Sequence, residues 1–273
     1  MKIALVDNGS VEPAAHESLR RAAAILSGKA RCAVEAVSWK HSDRIAADRL
    51  ASGRAWTLDR WVRAQVALGE RRFLFVPYFI SAQGAIGSSL RRDLEALSAQ
   101  TGGFEVAFTE GLATGTLLSD IVADHVRAAA AALRLGPSPV IVVDHGGPSR
   151  ASASVRDRVA DDVREALGGS ASRVAAASME SPEGPAFSFN QPLLGDLLST
   201  SGFNEGDVLI APLFLSPGRH AGPGGDLATI AGAAEGRFPG LRCHFTELVG
   251  SHPRATDFLA SALSRALQAT PLS

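Results

Sequence analysis

Short continuous runs of apolar residues recur along the chain, each ending in a polar residue or a turn signal and each followed by a longer segment rich in alanine and leucine. Runs such as Val140 to Val143 are unbroken rather than alternating, which predicts strands of a parallel sheet with both faces covered. The alternation of such runs with helical segments is the pattern of βα units. In the first half of the chain the pattern predicts strands near residues 3–7, 33–38, 72–77 and 104–108, with helices between them. In the second half it predicts strands near residues 139–144, 172–178, 207–212 and 241–246, each followed by a helix.

The two halves repeat one another. Ile3-Ala4-Leu5-Val6-Asp7-Asn8-Gly9 matches Val140-Ile141-Val142-Val143-Asp144-His145-Gly146 at an offset of 137 residues. Pro77-Tyr78-Phe79-Ile80-Ser81 matches Pro212-Leu213-Phe214-Leu215-Ser216 at an offset of 135, and Phe108-Thr109-Glu110 matches Phe245-Thr246-Glu247 at 137 again. Collinear matches at nearly constant spacing predict two copies of one α/β domain. Leu135-Gly136-Pro137-Ser138-Pro139 carries the punctuation of a linker, so the copies are expected to span residues 1–135 and 136–273.

Composition narrows the function classes. A length of 273 residues, 46% hydrophobic and 20% charged, with a net charge of −1, describes an ordinary globular chain without the basic excess that nucleic acid attracts. Of the 27 basic residues only Lys2, Lys29 and Lys40 are lysines; the rest are arginines, which suit bidentate grip on carboxylates. Cys32 and Cys243 form no framework and no C-x-x-C pair, which fits a reducing cytoplasm. Met1 to Asp7 reads as a strand rather than a signal peptide, and the longest apolar runs fall short of a bilayer span.

In an open parallel sheet, ligands bind beyond the carboxyl ends of the strands. In the second copy those ends carry Asp144-His145-Gly146-Gly147-Pro148, Ser178-Met179-Glu180 and Pro217-Gly218-Arg219-His220. Two imidazoles and a carboxylate on one edge suit a divalent first-row metal such as Fe²⁺, Co²⁺ or Ni²⁺. The repeat acts as a control: His145 falls opposite Asn8, His220 opposite Ala85 and Glu180 opposite Lys40. The scaffold persists in both copies while all three candidate ligands are missing from the first, as in an active half and a degenerate half. A lone histidine after a strand is more often a loop or capping residue; the coincidence of three candidates on one edge favours the metal reading. Glu110 and Glu247 occur in both copies and read as structural. His16, His41, His125, His244 and His252 read as solvated or structural, although His244 lies on the fourth strand, from which it could approach the site.

Rival motifs are absent. No serine has the flanking glycines of a G-x-S-x-G elbow, no P-loop can be built on the three lysines, and H-E-x-x-H does not occur. Gly222-Pro223-Gly224-Gly225-Asp226 reads as a flexible lid or a faint phosphate loop.

Val143-Asp144-His145-Gly146-Gly147, Ser178-Met179-Glu180 and Pro212-Leu213-Phe214-Leu215-Ser216-Pro217-Gly218-Arg219-His220 resemble, in order and spacing, the class II tetrapyrrole chelatases of the CbiX and SirB type. The specific motifs lie in residues 136–273, and the first copy keeps only the scaffold. Two departures leave the macrocycle open: Asp144-His145-Gly146-Gly147-Pro148 stands where relatives have Gly-His-Gly-Ser-Arg, and a Gly-rich stretch follows His220 where many have a more charged run. The resemblance implies two tandem flavodoxin-like domains, each a four-stranded parallel sheet flanked by helices, with a cleft between them. It implies insertion of Co²⁺, Fe²⁺ or Ni²⁺ into sirohydrochlorin or a related tetrapyrrole, in cobalamin or siroheme biosynthesis, with no cofactor beyond the metal substrate. His145, Glu180 and His220 would then be both metal ligands and catalytic groups, with Arg150, Arg219, Gly146 and Gly218 on the macrocycle side. A small-molecule partner, a monomer or homodimer, and no nucleic acid or membrane are expected. A non-catalytic tetrapyrrole or metal carrier on the same fold is the alternative.

Overall fold

The computed structural model describes residues 1–51, 53–81 and 85–269. In chain order the elements are β1 (Lys2–Asp7), α1 (Pro13–Ala30), β2 (Glu35–Ser38), β3 (Trp56–Thr57), α2 (Leu58–Ala67), β4 (Arg72–Pro77), α3 (Ala85–Gln100), β5 (Glu105–Phe108) and α4 (Leu117–Leu133). They continue with β6 (Ser138–Asp144), α5 (Arg150–Leu167), β7 (Ala171–Ser178), α6 (Leu194–Leu197), β8 (Gly206–Pro212), α7 (Asp226–Arg237), β9 (Leu241–Phe245) and α8 (Pro253–Ala269). Every described strand pairing within the two sheets is parallel. The sheets run β3-β2-β1-β4-β5 and β7-β6-β8-β9.

The eight expected strands are present to within one or two residues. The first sheet has a fifth, β3, paired with β2 through Val37 opposite Trp56 and Ser38 opposite Thr57. A two-residue strand has no period to read, so the expected four-stranded sheet is corrected to five. The full helix expected after β7 is corrected too. Pro182, Pro185 and Pro192 interrupt that stretch, leaving a 3₁₀ segment at Pro185–Asn190 and the single turn of α6.

The chain forms two compact units, Met1–Thr114 with Pro253–Ser273, and Gly115–His252. Their borders differ from those of the sequence repeat, because each half gives its last helix to the other unit. In unit 1, α8 packs on α1, with Lys29 and Asp257 paired at 2.6 Å and Arg265 on Glu110 at 2.6 Å. In unit 2, α4 packs on α5 and β8, and Ser119 donates to Asp162 at 2.8 Å. The Gly- and Pro-punctuated segment near residue 136 is therefore a turn inside unit 2.

Each unit has its own core. Unit 1 centres on the fully buried Trp61, whose ring meets Phe73 edge-on at 5.6 Å and whose indole N–H donates to Glu35. Unit 2 is aliphatic, built on Ile141, Val143, Val208 and Ile210 from the strands and Leu194, Leu227 and Ala231 from the helices. No helix among the described residues is long and apolar enough to cross a membrane.

Candidate metal centre

The sequence repeat is also a repeat of backbone geometry. Beyond the strand ends, Met179 N–H donates to the Asp144 carbonyl and Trp39 N–H to the Asp7 carbonyl, both at 2.8 Å. Glu180 N–H meets the His145 carbonyl at 3.1 Å, and Lys40 N–H the Asn8 carbonyl at 3.2 Å. Asn8 and Lys40 thus occupy the same places in unit 1 that His145 and Glu180 occupy in unit 2. Gly146 sits between these strands at φ +82°, and a Cβ there would lie 1.8 Å from the Glu180 carbonyl oxygen. Its counterpart Gly9 has φ +85° and would meet the Lys40 carbonyl at 1.7 Å. Glycine at this position lets the two loops touch.

In unit 2 the strand order reverses around β6, and the crevice beyond the carboxyl ends of β6 and β8 is the switch point where such sheets bind ligands. His145 follows β6, Glu180 follows β7, and His220 ends the loop after β8. The structure brings the three together. The rings of His145 and His220 meet edge to face with centroids 4.6 Å apart, and His145 Nε2 lies 3.6 Å from Glu180 Oε1. Phe214 backs His145 with ring centroids 6.5 Å apart. His145 Nδ1 meets the Gly146 carbonyl at 2.9 Å, and His220 Nδ1 meets Asp226 Oδ2 at 2.7 Å. The three are neighbours without forming a closed cage: among the described residues, no group of three or more His, Cys, Asp or Glu side chains is placed to hold a metal ion. Gly146 and Gly218 flank the histidines, and the Gly218 N–H is held by the Ala221 carbonyl at 2.8 Å. Arg150 lays its guanidinium over Phe189 at 4.8 Å, and Arg219 is largely exposed with Nε 3.7 Å from Asp226.

Below the imidazoles lies a polar anchor that the sequence did not disclose. Arg156 on α5 is almost wholly buried. It donates to the Ser178 hydroxyl, to Asp157 at 2.6 Å and to the Phe189 carbonyl at 2.9 Å, and lies 3.6 Å from Asp144. Ser178 in turn donates to Asp144 at 2.6 Å. Burial pushes the Asp144 carboxyl above its usual range, against the opposing pull of Ser178 and Arg156. Asn190, buried as well, clamps the loop after His145 by accepting from the Gly147 N–H at 3.3 Å and donating to its carbonyl at 2.9 Å. No motif marks Arg156 or Asn190; a charged residue on the apolar face of a predicted helix was the only available signal.

Other histidines take separate roles. His16 is buried in unit 1 with Nδ1 3.4 Å from Ser38 Oγ, so it is structural rather than solvated. His244 pairs with Asp207 at 2.8 Å instead of joining the site, and His125 and His252 face each other at 5.1 Å. In unit 1 a cavity of about 450 Å³ is lined by Trp39, Lys40 and His41. There Lys40, standing where unit 2 has Glu180, lies 4.0 Å over the Trp39 ring and pairs with Asp93 at 3.2 Å. The acid is replaced by a cation with its own partner.

Residues 139–266 match the model of the CbiX family. No curated protein sequence matches the chain. Among solved structures, SirB from Bacillus subtilis with Fe³⁺ is 13% identical, with 96% of this chain and 94% of that one covered at a TM-score of 0.64. SirB from Bacillus subtilis subspecies spizizenii in complex with cobalt is 13% identical, with 98% and 96% covered at 0.66. CbiX, described as the terminal enzyme for biosynthesis of siroheme in denitrifying bacteria, is 17% identical, with 97% and 99% covered at 0.65. These likenesses span both units and establish a shared fold. The match to the CbiX family is confined to residues 139–266, the stretch that carries His145, Glu180 and His220, and it is this part of the chain that is similar to that family.

Proposed function

We propose that this chain is a lyase-type chelatase that inserts Co²⁺, Fe²⁺ or Ni²⁺ into sirohydrochlorin or a closely related tetrapyrrole, serving cobalamin or siroheme biosynthesis in the cytoplasm. The observation that carries the proposal is the facing pair of imidazoles, 4.6 Å apart, with Glu180 3.6 Å from one of them, at the switch point of the unit that matches the family. The solved relatives named for sirohydrochlorin chelation and for bound iron or cobalt support the same reading.

The chemistry follows from one property of imidazole. A neutral ring has a single free lone pair, which can hold a metal or a proton but not both. Insertion moves one divalent cation from protein to macrocycle and releases two pyrrole N–H protons. As the cation leaves His145 and His220, each ring regains a lone pair able to take up one of those protons, so two rings match two protons. Glu180, more than half exposed, is not set with the two rings as a preformed three-ligand group; it would turn toward the cation as a third ligand, or accept a proton and pass it to water. A mixed N,O donor set suits each of the three cations. Arg150 and Arg219 would steer the carboxylate arms of the macrocycle through charge-assisted bonds. The test is Co²⁺ insertion into sirohydrochlorin followed by absorbance, under conditions of many substrate equivalents per protein. Conversion well beyond one equivalent supports the proposal; saturation at one equivalent identifies a carrier and overturns it.

A further inference from the structure

The Gly-rich stretch after His220 forms a turn that closes on His220 itself. Gly225 N–H donates to the Gly222 carbonyl at 3.0 Å, Asp226 N–H to the Arg219 carbonyl at 3.1 Å, and Leu227 N–H to the His220 carbonyl at 3.1 Å. A Cβ at Gly225 would lie 2.8 Å from the Arg219 oxygen and 3.0 Å from the His220 oxygen, so the turn can close only over a glycine. Asp226 is the first residue of α7, a helix anchored in the unit 2 core by Leu227 and Ala231. The turn therefore delivers a carboxylate from a fixed element to His220 Nδ1, at 2.7 Å.

We infer that Asp226 is the positioning residue of His220: it fixes the ring proton on Nδ1 and leaves the Nε2 lone pair for the cation. This rests on the reading of His220 as a metal-holding, proton-accepting group. An ionised carboxylate only accepts hydrogen bonds, so a neutral ring bonded to it carries its hydrogen on Nδ1. His145 reaches the same tautomer by a weaker device, the neighbouring Gly146 carbonyl at 2.9 Å. Both rings then present Nε2, one supported by a charge and the other by a backbone dipole. Carboxylate support of this kind orients a metal-binding imidazole and raises its basicity.

The experiment uses ¹⁵N-histidine-labelled full-length protein at a pH where the rings are neutral, with His220 assigned through His220→Gln. Two-bond ¹H–¹⁵N correlation reports the tautomer, and calorimetry with Co²⁺ alone reports affinity. Wild type is expected to show Nδ1–H at His220. Asp226→Leu is expected to move the proton to Nε2 and to weaken Co²⁺ binding by about 10–100-fold. Asp226→Asn, whose amide oxygen still accepts, is expected to keep Nδ1–H and to lose less affinity than the leucine variant. Should Asp226→Leu not fold, Gly225→Ala makes the same test by displacing the carboxylate. An unchanged His220 tautomer or an unchanged Co²⁺ affinity in the displaced-carboxylate variant overturns the inference. Neither readout needs a tetrapyrrole: a protein that shows both shifts but never inserts metal refutes the chelatase reading and leaves Asp226 in its role.

Discussion

Asp7 ends β1 of unit 1 where Asp144 ends β6 of unit 2, yet the two carboxylates are supported differently. Asp144 has Arg156 at 3.6 Å, whereas the aligned position in α1 is Leu19. Burial pushes the Asp7 carboxyl up to about 6, opposed only in part by bonds from Ser38 and the Gly9 N–H, and its Oδ1 has no partner among the described residues. Against an ordinary value of 3.8, the shift of about two pH units corresponds to about 3 kcal/mol. The sign follows from linkage. The unfolded chain loses this proton near pH 4 and the folded chain near pH 6, so the stability Asp7 supports is present below pH 4 and is lost as pH rises through about 6. His16, which shares Ser38, opposes it: burial lowers its imidazole to about 4, so its contribution is lost as pH falls. Comparing Asp7→Asn with wild type isolates the carboxyl. The variant is expected to match wild type near pH 4 and to be more stable by about 3 kcal/mol at pH 7.5. Urea unfolding followed by tryptophan fluorescence is the assay, because Trp39, Trp56 and Trp61 all lie in unit 1. A difference that stays flat between pH 4 and 7.5 would refute the reasoning.

Gly146→Ala combines a left-handed residue with a backbone clash and is expected to destabilise unit 2 by about 2–3 kcal/mol and to lower metal insertion, as read by hydrogen exchange and absorbance. Gly9→Ala, with the same clash in unit 1, is expected to cost a similar amount by tryptophan fluorescence while insertion persists below its unfolding transition. Arg156→Leu leaves Asp144 buried without its cation and is expected to destabilise unit 2 by about 3–5 kcal/mol in thermal unfolding, with much of the loss recovered when Asp144→Asn is added.

What the sequence disclosed was local or repeated. Continuous runs such as Val140 to Val143 declared both-sides-covered strands, and the duplication located their ends well enough to put His145, Glu180 and His220 on one edge. What it hid depends on tertiary choice. The apolar stripes of α4 and α8 indicate that each helix packs on something, but not that each packs in the unit formed mainly by the other half. Trp56–Thr57 is too short to show a period. Arg156, Asn190 and Asp226 act through contacts created by loop closure, and their neighbours in space lie 22, 43 and six residues away along the chain. The Gly-rich run reads as a lid or a phosphate loop, and the turn it makes onto His220 depends on the close approach of Gly225 to the Arg219 and His220 carbonyls.

The central claim is that His145 and His220 together hold the cation and receive the two pyrrole protons. It is tested most directly by the rate of Co²⁺ insertion into sirohydrochlorin, under multiple turnover, for wild type, His145→Ala and His220→Ala. The account predicts turnover by wild type and a loss of about a hundredfold or more in each variant. An insertion rate left unchanged by either substitution would contradict it.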